Sequence, residues 1–152
     1  MAHEQDIGYQ VRKLDNMMMR NLFSYVKKHG ENDLTVMHEW ILGYLYENQD
    51  HEIFQKELET AFSIGRSSVT NILSLMEKKG YLVRQSVKRD ARLKKLVLTP
   101  AGERLHLRTV SVIEILDKRT KAGIPPQQLH VFFDVIEKLK ANLEKQREEN
   151  EC

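Results

Sequence analysis

Apolar residues along this chain recur at helical spacing, and that period breaks only once. From Tyr9 to Lys28, Val11, Leu14, Met18, Leu22 and Val26 mark one long amphipathic helix, with Gly30 as its stop. Leu34 to Glu47 carry Met37, Trp40, Ile41, Tyr44 and Leu45, which predict a second helix. Phe54, Leu58, Ala61 and Phe62 give a short third. Ser63-Ile64-Gly65 breaks it, and Val69, Ile72, Leu73 and Met76 then mark a fourth helix that Gly80 stops. There the helical period gives way. Tyr81 to Val87 is rich in β-branched and aromatic residues, and Leu93 to Leu98 is a second short apolar run. With Lys88-Arg89-Asp90-Ala91-Arg92 between them, the pattern predicts two short strands joined by a basic tip. Thr99-Pro100 is a strong helix start, and a fifth helix is expected to about Lys121, ended by Gly123. After Pro125-Pro126, a sixth helix lines up Leu129, Phe132, Phe133, Ile136, Leu139 and Leu143 on one side. The charged tail from Glu144 to Cys152 is expected to fray.

The predicted order is α-α-α-α-β-β-α-α, mainly α with a small β-hairpin. A short helix, a turn, a second helix and a hairpin spell a winged helix-turn-helix, in which the second helix enters the major groove and the wing reaches the flanking backbone. A single domain is expected over residues 1–152. Within it, residues 33–98 form the reading lobe and residues 7–30 and 99–147 the dimerisation helices. The apolar stripes of the flanking helices exceed what so small a lobe can cover. Val11, Leu14, Met18, Leu129, Phe132, Phe133, Ile136 and Leu139 are therefore expected to meet a second copy of the chain.

Composition narrows the class without deciding it. With 152 residues, 41% of them hydrophobic and 30% charged, the chain suits an ordinary soluble globular protein. The lone Cys152 excludes a disulfide framework and a thiol metal cluster, and fits a reducing compartment. The amino terminus lacks a signal-peptide layout, and the longest strongly apolar stretch, Trp40 to Tyr46, is too short to span a bilayer. A cytoplasmic protein with no membrane partner is expected. The net charge of +2 becomes informative once divided: nine basic residues and two acids between Ser63 and Lys95 give that stretch +7, leaving −5 for the rest. One surface is aimed at a polyanion.

The chemistry lies in the fourth helix and the hairpin. The helix opens Gly65-Arg66-Ser67-Ser68-Val69-Thr70-Asn71, and its apolar face leaves Ser67, Ser68, Thr70, Asn71 and Ser74 on the other side. Short hydroxyls and amides near a helix amino end can bond base edges or phosphates, and the helix dipole favours the latter. In the hairpin, Asp90-Ala91-Arg92-Leu93-Lys94-Lys95-Leu96-Val97-Leu98-Thr99-Pro100-Ala101-Gly102 resembles the wing signature of the MarR family of bacterial transcriptional regulators. That signature is an Asp, an Arg two places on, a short strand, then Leu-Thr-x-x-Gly. Leu75 to Arg84 is similar to the family's segment between recognition helix and wing, and the resemblance extends over about Leu34 to Leu105.

The resemblance implies a dimeric repressor that binds double-stranded DNA and is released by a small-molecule effector. It assigns Arg92 to the minor groove or its phosphates, with Asp90 pairing to it. A guanidinium gains there from concentrated negative potential, and a nearby carboxylate pre-orders it. The expected DNA-facing set is Arg66, Ser67, Ser68, Thr70, Asn71, Ser74, Arg84, Lys88, Arg89, Asp90, Arg92 and Lys94. Two departures stand out: Ala91 occupies a place where the family often has Arg, Lys or Ser, and Asn71 one where many relatives have Arg. The family's effector region implies His38, Glu39, Trp40, Tyr44 and His106 as sensor candidates.

Enzymatic readings have little support. His38-Glu39 and His51-Glu52 begin like a zinc-protease helix, but the places for the second histidine hold Leu42 and Gln55. Neither a phosphate-cradling glycine loop nor Gly-x-Ser-x-Gly occurs. No catalytic residue, metal site or cofactor is expected. Two rivals are a metal-responsive winged-helix repressor, should the fold bring His38, Glu39 and His106 together, and a winged-helix protein-interaction module without a DNA target. A neutral or acidic wing would mark the second, and this wing is basic.

Overall fold

A computed structural model describes residues 4–28 and 36–151. Gly30, Leu34 and Cys152, to which the first helix's end, the second helix's start and the lone thiol were assigned, lie outside the described residues. In chain order the elements are α1 (Ile7–Lys28), α2 (Val36–Glu47), β1 (Ile53–Phe54), α3 (Gln55–Ala61), α4 (Arg66–Lys78), β2 (Leu82–Val87), β3 (Asp90–Leu98), α5 (Pro100–Thr120) and α6 (Pro126–Glu151).

Three differences from the expected order have local causes. β1 is an addition: two residues are too few to show a period, yet Ile53 pairs with Leu96 and Phe54 with Lys95, making an antiparallel sheet in the order β1-β3-β2. β3 begins at Asp90 rather than Leu93, so Asp90, Ala91 and Arg92 belong to the strand. Asp90 pairs with Val87, which shortens the tip to a turn at Lys88-Arg89, and a register shift lies between Ser86 and Val87. The tail also holds its helix as far as Glu151 instead of fraying from Glu144. Its Glu, Lys, Gln and Arg are good helix formers, and Arg147 and Glu151 pair one turn apart at 3.5 Å.

The core lies among α2, α3, α4, the sheet and the start of α5. Ile41, Leu42 and Leu45 of α2, Leu58 of α3, and Val69, Leu73 and Met76 of α4 pack with Ile53, Leu82 and Leu96 of the sheet and Leu105 of α5. Burying one face of α4 in this way leaves its opposite face outward, which is the geometry a reading helix needs. The Leu-Thr-x-x-Gly motif splices wing to α5. Thr99 Oγ1 donates to the carbonyl of Gly80 at 2.6 Å and accepts from the Gly102 amide at 3.1 Å, while the Thr99 amide donates to the Tyr81 carbonyl. A Cβ on Gly102 would stand 2.1 Å from that Tyr81 oxygen, so only glycine fits. Gly80 ends α4 with φ of +77°, as a left-handed helix stop.

The chain groups into two compact units, Met1–Ile113 and Glu114–Cys152, with the division inside α5. In the first, α1 exposes Val11, Leu14, Met17 and Met18; in the second, α6 exposes Val131, Phe132, Phe133 and Leu143. Phe132 and Phe133 meet edge to face at 5.4 Å, and Lys121 lies over the Phe133 ring. Among the described residues, no helix is long and apolar enough to cross a membrane.

Candidate nucleic-acid interface

On α4, Val69, Leu73 and Met76 are fully buried, while Arg66, Ser67, Ser68, Thr70, Asn71 and Ser74 are exposed. Arg66, Ser67, Thr70 and Asn71 line one open depression at the helix's amino end. The exposed set divides by its hydrogen bonds. Thr70 Oγ1 donates to the Arg66 carbonyl and accepts from Gln55 Nε2, each at 2.8 Å, and Ser74 Oγ donates to the Thr70 carbonyl at 2.8 Å. Those two hydroxyl protons are spent inside the motif. Arg66, Ser67, Ser68 and Asn71 keep their side chains without a partner among the described residues. Gln55, at the start of α3, also reaches the Arg66 carbonyl and Glu59, so it clips α3 to the amino end of α4. Sequence spacing gave no sign of this clip.

On the wing, Asp90 holds Arg92 from three directions. Its Oδ1 accepts from the Arg92 amide at 2.9 Å and from Nε at 3.3 Å, and its Oδ2 accepts from Nη2 at 3.4 Å. These bonds, the backbone one foremost, keep the Asp90 carboxyl below its ordinary range. The Arg92 side chain is nonetheless 91% exposed, so it is ordered and still presented to solvent. The expected Asp–Arg pairing is present.

The other expected wing contacts are distributed differently. Arg84 is half-buried and turned to Glu77, with Nη1 3.3 Å from Oε2 and its amide 3.0 Å from Oε1. That pair ties β2 to the end of α4 and takes Arg84 off the outward face. Lys94 Nζ donates to the Ser86 hydroxyl across the two strands. Arg89 folds back over the Phe54 ring and pairs with Glu52 at 2.5 Å, and Lys95 reaches the same carboxylate at 3.4 Å. Lys88 stays exposed at the turn. Glu52 and Lys95 were not among the expected site residues. Glu52 lies 37 positions from Arg89, so no local pattern could link them.

The sensor candidates separate into distinct environments. Glu39 and His106 are buried together, with His106 Nδ1 2.7 Å from Glu39 Oε1, and Thr109 donates its hydroxyl to Glu39 Oε2. The Tyr46 ring lies 4.9 Å from that of His106. Burial, then the nearby Lys79 charge, holds the His38 imidazole below its ordinary pKa. Trp40 is exposed. Tyr44 donates to Glu57 at 2.9 Å and packs edge to face on Phe62, and the bond to Glu57 raises its phenol pKa. Among the described residues, no three His, Cys, Asp or Glu side chains converge as metal ligands.

Known proteins agree with this geometry. Residues 32–93 match the model of the MarR family. The chain is 24% identical over 132 residues to the HTH-type transcriptional regulator PrsX of Escherichia coli, covering 87% of this chain and 78% of that protein. Its fold is similar to the transcription regulator MarR from Oenococcus oeni PSU-1, with a TM-score of 0.70 and 27% identity over 90% of this chain and 99% of that one. It is also similar to S. aureus MepR in its DNA complex, with a TM-score of 0.81 and 21% identity over 92% and 99% of the two chains. With helix-turn-helix and wing built as that fold requires, and sequence and structure pointing the same way, the chain resembles the MarR family of DNA-binding transcriptional regulators.

Proposed function

We propose that the chain acts as a homodimeric repressor on a pseudo-palindromic operator, with α4 in the major groove and Arg92 of the wing in the flanking minor groove. One observation carries this reading: Arg92 is pre-ordered by Asp90 yet 91% exposed, in the same lobe as the outward side chains of α4. Pre-ordering lowers the entropy lost on binding, and an exposed guanidinium suits a narrow groove. Arg66, Ser67, Ser68 and Asn71 supply the remaining contacts on α4, with Ser67 and Ser68 nearer the phosphates and Asn71 at base edges. Lys88 and Lys94 add backbone attraction. The exposed apolar faces of α1 and α6 support pairing with a second copy, and half-sites one helical turn apart, ~34 Å, follow from two-fold symmetry. A small-molecule effector would act on the region of α2 and α5 around Glu39 and His106. The reading is regulatory and assigns no catalytic step.

Binding-site selection on random duplexes tests it. The parent should enrich an inverted repeat, and Asn71→Ala should change the preferred base at one position in each half while Ser68→Ala leaves the preference intact. Identical selected sites for the parent and the Asn71 variant would overturn α4 as the reader.

A further inference from the structure

Of the wing's cations, two are occupied by one carboxylate. Glu52, in the segment leading into β1, takes Arg89 Nη1 on Oε2 at 2.5 Å and Lys95 Nζ on Oε1 at 3.4 Å. Phe54 floors the arrangement, with the Arg89 guanidinium 5.4 Å from its ring centroid. The two cations come from different parts of the hairpin, Arg89 from the turn and Lys95 from the middle of β3. The carboxylate thus stands where two donors converge, an arrangement that a phosphate oxygen pair also satisfies. All three side chains keep contact with water: Arg89 is 61% exposed, Glu52 37% and Lys95 31%. Ion pairs at such exposure are weak and readily exchanged. The pair is close enough to hold the Glu52 carboxyl below its ordinary pKa, through Arg89 foremost, so the charge is present at neutral pH.

We propose that Glu52 is an affinity-setting residue that occupies Arg89 and Lys95 in place of DNA phosphate, holding two of the wing's cations in reserve. This rests on the DNA-binding reading above. Without Glu52 the wing would offer both cations to any polyanion and would lose the negative charge that now sits between them. Binding to phosphate carries no sequence information. The residue therefore restrains the sequence-independent part of the affinity and leaves the base contacts of α4 untouched.

The test compares the parent, Glu52→Gln and the double variant Glu52→Gln/Arg89→Ala, first on a scrambled duplex across a salt series and then on immobilised heparin. Glu52→Gln keeps the size of the side chain at a half-buried position, and Glu52→Ala should behave alike. Glu52→Gln should bind the scrambled duplex on the order of three- to tenfold tighter, with a log–log salt slope steeper by about 1 to 2, because each freed cation displaces about one counterion. It should also elute from heparin at higher salt than the parent, and the Arg89 change should remove most of that gain. Glu52→Gln eluting with or before the parent would overturn the proposal, as would a double variant that keeps the full gain. A parent that selects no operator while the heparin shift remains would instead count against the DNA-binding reading alone.

Discussion

Glu39 of α2 and His106 of α5 are hydrogen-bonded partners 2.7 Å apart, buried, and separated by 67 positions of sequence. Thr109, one turn further along α5, donates to the other carboxylate oxygen. This polar cluster fastens a helix of the reading lobe to the helix that leaves it, so α5 is tied to the lobe by more than the splice at Thr99.

Glu39→Ala should lower stability by about 1–3 kcal/mol, because it takes the carboxylate from a buried imidazole, whereas the Thr109 hydroxyl can still donate to the Leu105 carbonyl. Glu39→Gln, which keeps an acceptor oxygen, should cost less. Urea unfolding of the three proteins measures this, and an alanine variant as stable as the parent would show that the cluster contributes nothing.

At the wing, Arg92→Ala should weaken operator binding by about 1–3 kcal/mol while leaving the fold intact. Asp90→Ala keeps the guanidinium but frees it from its two bonds to the carboxylate and takes the acceptor from the Arg92 amide, so it should lose less affinity than Arg92→Ala. Fluorescence anisotropy on specific and scrambled duplexes separates the two effects. A folded Arg92→Ala protein with parental affinity would remove the wing from the interface.

Near neutral pH, His51 should make stability pH-dependent in a defined direction. Its Nε2 lies 2.9 Å from Glu57 and its Nδ1 3.0 Å from Asp50, and these two carboxylates, Glu57 foremost, raise its pKa above the ordinary 6.5. A folded-state pKa above the unfolded one means the stabilisation is complete below about 6.5 and is lost as pH rises through the raised value. The parent should therefore exceed His51→Asn in urea resistance at about pH 6, with the gap closing by about pH 9. A gap that widens with rising pH would contradict the arrangement.

Assembly should depend on α6. Phe132 and Phe133 are each about half exposed, alongside Val131, Val135 and Leu143, more apolar surface than a lone soluble chain usually shows. Removing residues 129–152 should abolish tight operator binding although every proposed DNA contact remains. Sedimentation of the full chain as a monomer at micromolar concentration, or normal operator binding by the shortened one, would refute the dimer.

What the sequence determined is what repeats or sits close along the chain. Helical spacing located α1 to α6, and α4 was legible because Val69, Leu73 and Met76 fall on one face and leave Asn71 and the serines on the other. The Asp90–Arg92 pair was legible through the resemblance and Thr99-Pro100 as a helix start, since each lies within a few residues, but the bonds that splice Thr99 to Gly80 and Tyr81 join segments the spacing does not link. The tertiary structure decided what joins distant segments. β1 exists because β3 offers Ile53 and Phe54 a partner, and two residues carry no period of their own. Arg84 reads as one more wing cation until α4 brings Glu77 to it, and Arg89 and Lys95 read as free until the same fold brings them Glu52. Charge is a property of the sequence, but whether a charge is available to a ligand depends on which carboxylate the fold sets within reach of it, and that is fixed only when strands and helices pack.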